Sequence, residues 1–222
     1  MGTLFIVSTP IGNLSDMTFR AIATLKEVGF VFCEDTRVTK KLLDYFEIKT
    51  PVETYHQHSY HSTSNHILNL LKEGTNVAVV SDAGTPGISD PGSELIGFIR
   101  RQLKDILIVP VPGVSAVIAA LSVSGFYADK FTFLGFPPHK NKRNKFFKEI
   151  AETKYTTVIY ESSHRIAKTI KELTEVLSMD TNIFIGRELT KMFETFYYGK
   201  ISAVQDMKII NKGEFVLIIE KN

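Results

Sequence analysis

The apolar positions of this chain follow two rhythms. Runs such as Leu4–Val7, Phe30–Cys33 and Val77–Val80 are short and nearly unbroken. Others, such as Thr18–Val28 and Arg165–Leu177, return an apolar residue every three or four positions. The first rhythm suits strands buried on both faces, the second helices with one buried stripe. Over the first half they predict strand Leu4–Ser8, helix Thr18–Val28 with Phe19, Ile22, Ala23 and Leu25 on its apolar face, and strand Phe30–Cys33. Helix Thr39–Phe46, strand Val52–Thr54 and helix Asn65–Lys72 come next, the last closed by Gly74, then strand Asn76–Val80, helix Pro91–Arg101 and strand Ile106–Val109. Such alternation predicts a mainly parallel sheet with helices on both faces.

The pattern then loosens. A small-residue helix over Val114–Ser122 follows Pro112-Gly113; strand Phe131–Leu134, basic helix Asn141–Ala151, strand Thr156–Tyr160 and helix Arg165–Leu177 come after it. Strands at Asn182–Ile185, Phe193–Tyr198 and Glu214–Ile219 complete the chain, and the short connection between the first two predicts antiparallel pairing. The reading is a two-lobed α/β protein, residues 1–112 with a mainly parallel sheet and residues 113–222 with a mixed one.

Open α/β sheets bind ligands beyond the carboxyl ends of their strands. Those ends read STPIGNLSD (8–16), CEDTR (33–37), SDAGTPGISDPG (81–92) and VPGVSA (111–116) in the first part, with FLGFPP (133–138) and YESSHR (160–165) beyond it. Polar or Gly/Pro-bearing ends at six strands predict a cleft between the lobes. Within 81–92, turn formation accounts for Gly84, Pro86, Gly87 and Gly92, and Asp90 fits an N-cap for a helix starting at Pro91. Asp82 is not explained in this way, because a carboxylate at a buried strand end needs a partner or a ligand. Between Glu73 and Ile99 there is no Lys or Arg, and neither G-x-x-x-x-G-K-[ST] nor G-x-G-x-x-G is present, so a pyrophosphate is a poor fit. An acidic loop suits ribose hydroxyls, an ammonium group or a positive centre such as a nucleoside sulfonium.

Other candidates each carry two readings. Glu34, Asp35 and Arg37 form either a salt-bridged corner with Asp35 or Thr36 as helix cap, or a group that positions substrate and handles protons. Tyr160-Glu161 with His164-Arg165 is either a capped helix start or a polar cluster in the cleft. His56, His58, His61 and His66 include a His-x-His spacing, but no cysteine lies nearby and a solvated or structural role is the expectation, with no metal. The run HKNKRNKFFK (139–148), with Lys142 and Arg143 at its centre, is a solvated face or a phosphate contact.

Composition narrows the field. No apolar run nears the roughly 20 residues of a membrane span, and the N-terminal segment lacks the basic and apolar regions of a signal peptide. One cysteine, Cys33, excludes an internal disulfide and fits a cytoplasmic protein. A formal net charge of +2 neither requires nor excludes nucleic acid.

Taken together and in order, STPIGNLSD, CEDTR, SDAGTPGISDPG, PGVSA, LGFPP, YESSHR and GRELTKMFE closely resemble the small-subunit ribosomal RNA 2′-O-methyltransferase I family, within the tetrapyrrole-methylase-like enzymes that use S-adenosylmethionine. The resemblance spans Leu4 to Glu220. It implies S-adenosylmethionine in the cleft, a homodimer, and a cytidine ribose of 16S RNA in the small ribosomal subunit as substrate. It further implies donor contacts at Pro10, at Asp82, Ala83, Gly84 and Thr85, at Ser115 and Ala116, and in the second lobe at Tyr160 and along Gly213–Phe215. The chain departs in ending at Glu220-Lys221-Asn222, where many members continue into a further domain, and in carrying Ser59-Tyr60 where Asn-Glu is common. For the transfer itself, Glu34, Asp35 or Glu161 is expected to accept the ribose proton, while Arg37 and Arg187 hold phosphates. Methylation of a tetrapyrrole on the same fold, and a non-catalytic RNA-binding module, are the rival readings.

Overall fold

A computed structural model describes residues 1–55 and 60–221. The chain packs as two units, Met1–Ser115 and Ala116–Asn222.

In the first unit, strands β1 (Leu4–Val7), β2 (Phe30–Cys33), β3 (Val52–Thr54), β4 (Val77–Val79) and β5 (Ile108–Val111) form one sheet in the order β3-β2-β4-β1-β5. Every pairing is parallel. Helices α1 (Phe19–Glu27), α2 (Thr36–Tyr45), α3 (Tyr60–Lys72) and α4 (Gly92–Gln102) make the crossovers that parallel strands require. Two buried clusters flank the sheet, one built on Leu4, Phe32, Leu71, Val77, Leu95 and Ile99, the other on Val7, Leu25, Val31, Leu43, Ala78 and Val111. The strands therefore bury both faces, as their unbroken apolar runs predict.

The α1 stripe holds at Leu25 and Ile22, which pack on the core beside Ala21 and Thr24, and is corrected at Ala23, which is exposed, and at Phe19, 93% exposed at the helix start. Thr18 is the N-cap, its hydroxyl accepting from the Ala21 N–H, which turns Phe19 outward. Strand β5 lies two residues later than expected because Pro110 is accommodated on this edge strand, where a missing N–H costs least.

The second unit holds β6 (Phe131–Phe133), β7 (Thr156–Ser162), β8 (Asn182–Arg187), β9 (Thr195–Lys200) and β10 (Glu214–Ile219) in the order β6-β7-β10-β8-β9. Only β6–β7 is parallel; the others are antiparallel, including the β8–β9 hairpin. Helices α5 (Ala116–Ser124), α6 (Arg143–Glu152), α7 (Ile166–Val176) and the short α8 (Ile201–Val204) complete it. Ile166, Ile170 and Leu173 of α7 meet Ile159, Ile185 and Leu217 in its core. Strand β7 runs to Ser162, so Glu161 belongs to the sheet and not to a helix start.

Candidate active site

The carboxyl edge of the first sheet is sewn together by its own loops. Residues Thr9 and Gly84 exchange both backbone hydrogen bonds, at 2.9 and 3.0 Å, joining the segment after β1 to the segment after β4. The Thr9 hydroxyl donates to the Ser81 carbonyl, and the Ser81 hydroxyl turns back to the Gly84 carbonyl. The Ser8 hydroxyl donates to Thr85 Oγ1 at 3.0 Å, and the Thr85 hydroxyl donates to the Val114 carbonyl at 3.2 Å. Three strand ends thus share one chain of hydroxyls. Gly84 takes φ +79°, a conformation that side chains with a Cβ avoid. Gly113 is needed for closeness instead, since a Cβ there would stand 2.9 Å from Ser8 Cβ.

Asp90 shapes the far side of this loop. Its Oδ1 accepts from the Gly87 and Gly92 N–H groups, each at 2.7 Å. Pro91 occupies the N-cap position that Asp90 was expected to fill; Asp90 stands one residue earlier and clamps the turn. The turn reading of 81–92 is thus met by Gly87, Asp90 and Gly92.

Carboxylates gather beside it. Asp35 caps α2, accepting from the Arg37 N–H at 2.8 Å, and its other oxygen lies 2.6 Å from the Arg37 guanidinium, which holds its pKa down at about 2. The Asp35 N–H donates to Asp82 Oδ1 at 3.1 Å. Asp82 is exposed, not buried as its place after β4 suggested, yet partial desolvation still raises its pKa. Glu34, half-buried next to Tyr55, Ser81 and Pro86, is pushed up to about 7, first by burial and then by the charges of Asp90 and Asp82. The Tyr55 hydroxyl, donating to the Pro91 carbonyl, closes this recess from below.

The structure sorts the remaining candidates. Pro10 is buried behind the Thr9–Gly84 bridge, Ala83 is exposed and Thr85 half-buried, while Ser115 and Ala116 are half-buried where one unit ends and the other begins. In the second unit, Tyr160 is raised in pKa by burial and stands between Phe133 and Phe136, at ring distances of 4.8 and 5.3 Å. Gly213 takes φ +94° against Glu188. Phe215 is corrected as a direct contact: its ring belongs to the core and its main chain is paired on both sides.

Three further expectations are also corrected. Glu161 cannot act as the base, because its side chain is fully buried and ringed by Arg165, Thr169 and the Ser162 N–H. Arg143 cannot hold phosphate: its guanidinium, 4% exposed, binds Glu172, the Thr169 hydroxyl and the Pro138 carbonyl. Arg187 is likewise occupied, donating to the carbonyls of Lys212 and Phe193. Arg37 remains 86% exposed and Lys142 is exposed, so both are available to solvent-borne groups. His56 and His58 lie outside the described residues, as does the side chain of His61; His66 faces Glu53 at 3.4 Å between Phe30 and Phe32. Among the described residues no cluster of His, Cys, Asp and Glu could hold a metal.

The acceptor-rich edge fits S-adenosylmethionine. Carbonyls and carboxylates suit ribose hydroxyls, an ammonium and a sulfonium, and the close approach at Gly113 brings the loops together without intervening side chains.

Comparison with known proteins gives the same direction. The family of tetrapyrrole (corrin/porphyrin) methylases matches residues 3–205. Ribosomal RNA small subunit methyltransferase I of Synechocystis is 44% identical over 99% of this chain and 79% of its own length. The enzyme of the same name from Bacillus subtilis is also 44% identical, over 99% and 75%; that from Mycoplasmopsis pulmonis is 42% identical, over 98% and 97%. Among solved structures, the methyltransferase CobJ superposes with a TM-score of 0.74 at 18% identity, covering all of this chain and 95% of that one. Diphthine synthase does so at 0.76 and 13%, covering 99% and 90%. The distant structures speak for the fold and the near relatives for the branch: the chain belongs to the ribosomal RNA small subunit methyltransferase I family of tetrapyrrole-methylase-like enzymes, which are S-adenosylmethionine-dependent methyltransferases.

Proposed function

We propose that this protein methylates RNA of the small ribosomal subunit, at the 2′-oxygen of a cytidine ribose in 16S RNA. One observation carries the donor half of this reading: the hydroxyl-and-backbone seam of Ser8, Thr9, Gly84, Thr85 and Val114, set beside Asp82. The substrate half is supported by the names of the near relatives and by exposed cations at Arg37 and along Lys140–Lys148.

In this reading the backbone of Asp82–Thr85, with Pro10 and Ser115, holds S-adenosylmethionine. When bound, the group supplies an electrophilic methyl on a positively charged sulfur. Glu34 is the base. Asp35 is held near 2 by Arg37 and is too weak, whereas a carboxylate near 7 is matched to neutral pH. Arg37, fixed by Asp35, meets a phosphate with the part of its guanidinium left open. A sulfonium near Glu34 and Asp82 would lower both pKa values, keeping Glu34 ionised while the donor is in place.

The same reading places the protein in the cytoplasm, as a homodimer. Apolar side chains left exposed on the second unit support the dimer: Ile118 and Val123 of α5, Tyr127 just after it, and Phe196 and Tyr198 of the edge strand β9. Helix α5 is apolar nearly all round, as helices buried on every side are. None of the described helices is long and apolar enough to cross a membrane.

Calorimetry with S-adenosylmethionine tests the donor site: saturable binding is expected, and its loss in a folded Asp82→Ala variant. Methyl transfer to undermethylated small subunits then tests the substrate. Transfer that is absent despite donor binding refutes the RNA reading; binding unaffected by Asp82→Ala refutes the assignment of the loop.

A further inference from the structure

Glu161 is a buried carboxylate with an unusual set of partners. Arg165 Nε lies 2.8 Å from Oε1, which also accepts from the Ser162 N–H at 2.7 Å. The Thr169 hydroxyl donates to Oε2 at 2.6 Å and in turn accepts from Arg143 Nη2 at 2.7 Å. Glu172 takes the opposite edge of Arg143, at 2.7 Å. A carboxylate and two guanidiniums are costly to bury, so this cluster needs a reason beyond stability.

The reason lies in where the arginines point. Arg165 Nη1 donates to the Pro137 carbonyl at 2.8 Å, and Arg143 Nη1 donates to the Pro138 carbonyl at 2.9 Å. Two successive carbonyls, neither serving a strand or a helix, are gripped by two cations joined through one carboxylate. The gripped segment bears Phe136, 49% exposed with its ring tilted against Tyr160 at 5.3 Å, and leads directly into His139, Lys140, Asn141 and Lys142, all exposed. Lys142 holds φ +65° at the N-cap of α6, immediately before the anchored Arg143.

We infer that Glu161 is a positioning residue for the RNA substrate: through Arg143 and Arg165 it fixes the Phe136–Lys142 loop, which presents an aromatic face and lysines to single-stranded RNA. This rests on the RNA reading above. Exposed aromatics stack bases and lysines meet phosphates, but both do so well only when the loop that carries them does not have to be ordered on binding.

The test uses full-length protein and undermethylated small subunits. Glu161→Gln removes the charge but keeps the shape, and Arg165→Met, at a side chain 16% exposed, releases Pro137 without uncovering the deepest part of the cluster. Folding is followed by thermal melting and donor binding by calorimetry. Folded variants are expected to raise the KM for subunits about five- to tenfold, to change kcat much less, to leave S-adenosylmethionine affinity unchanged, and to lower the salt slope of RNA binding by about one. In a Lys140→Ser/Lys142→Ser background, Arg165→Met is expected to add little, because the groups it positions are gone. Equal KM in folded wild type and Arg165→Met, or fully additive effects in that background, overturns the inference while leaving the RNA reading intact. Wild type that binds donor but does not methylate subunits overturns both.

Discussion

Replacing Glu34 by Gln should make this protein more stable at alkaline pH and nearly inactive. Glu34 has an ordinary pKa of 4.5 and is held at about 7 by burial and by Asp90 and Asp82. Below 4.5 the group is protonated in both folded and unfolded chains and contributes nothing. Between 4.5 and 7 the unfolded chain releases its proton first, so stability falls as pH rises; above 7 the full penalty is in place. At 1.36 kcal/mol for each pH unit, the penalty is at most about 3 kcal/mol. The group is only half-buried, and solvent screening reduces it to about 1–1.5 kcal/mol. Urea unfolding at pH 4 and pH 8 reads this directly: Glu34→Gln should match wild type at pH 4 and exceed it by that amount at pH 8. Turnover should fall by about 10²–10⁴-fold; wild-type kcat/KM should rise through pH 7 as Glu34 of the free protein ionises, and kcat should rise at lower pH, where the donor has drawn the pKa down. Equal stability differences at both pH values would refute the electrostatic argument. Full turnover in the variant would remove Glu34 as the base.

Other perturbations follow from the same structure. Gly84→Ala forces a Cβ onto φ +79° and should cost about 1–2 kcal/mol, with weaker donor binding, measured by melting and calorimetry. Gly113→Ala places a Cβ 2.9 Å from Ser8 Cβ and should weaken S-adenosylmethionine binding more than it lowers the melting temperature. Glu161→Ala leaves two arginines facing an empty site and should destabilise the protein by about 3–5 kcal/mol, seen as a lower urea midpoint. Arg37→Ala should weaken RNA binding and flatten its salt dependence without changing donor affinity.

The sheets were legible because their apolar runs report burial on two faces, a local property of strand residues. The carboxyl ends of β1, β2, β4 and β5 could be read for the same reason, each being a polar segment following such a run. Partnerships could not. Glu161 and Arg143 look like free charges in sequence; only the fold brings Thr169 and Glu172 of α7 against them and takes them out of solvent. Phe19 failed as a core residue because the Thr18 cap sets the helix phase, and apolar spacing alone left two phases open. Ser8, Thr9 and Ser81 lie in strand-end segments legible as a binding edge, but their individual roles are not, although a hydroxyl directly after a buried strand has few partners other than neighbouring strand ends. That is the signal by which they could have been found.

The seam through Ser8, Thr85 and Val114 has a kinetic meaning. Ser8 and Thr85 are 77 residues apart in sequence, and Thr85 and Val114 are 29 apart. Closing loops of that length is slow and is rewarded only when the parallel strands between them are in register. The pocket edge is thus among the last parts of the first unit to form, and a ribosome still synthesising β5 carries a nascent chain that has no such edge. A molecule that binds there captures only chains that have finished folding, and by mass action it draws the slow population forward.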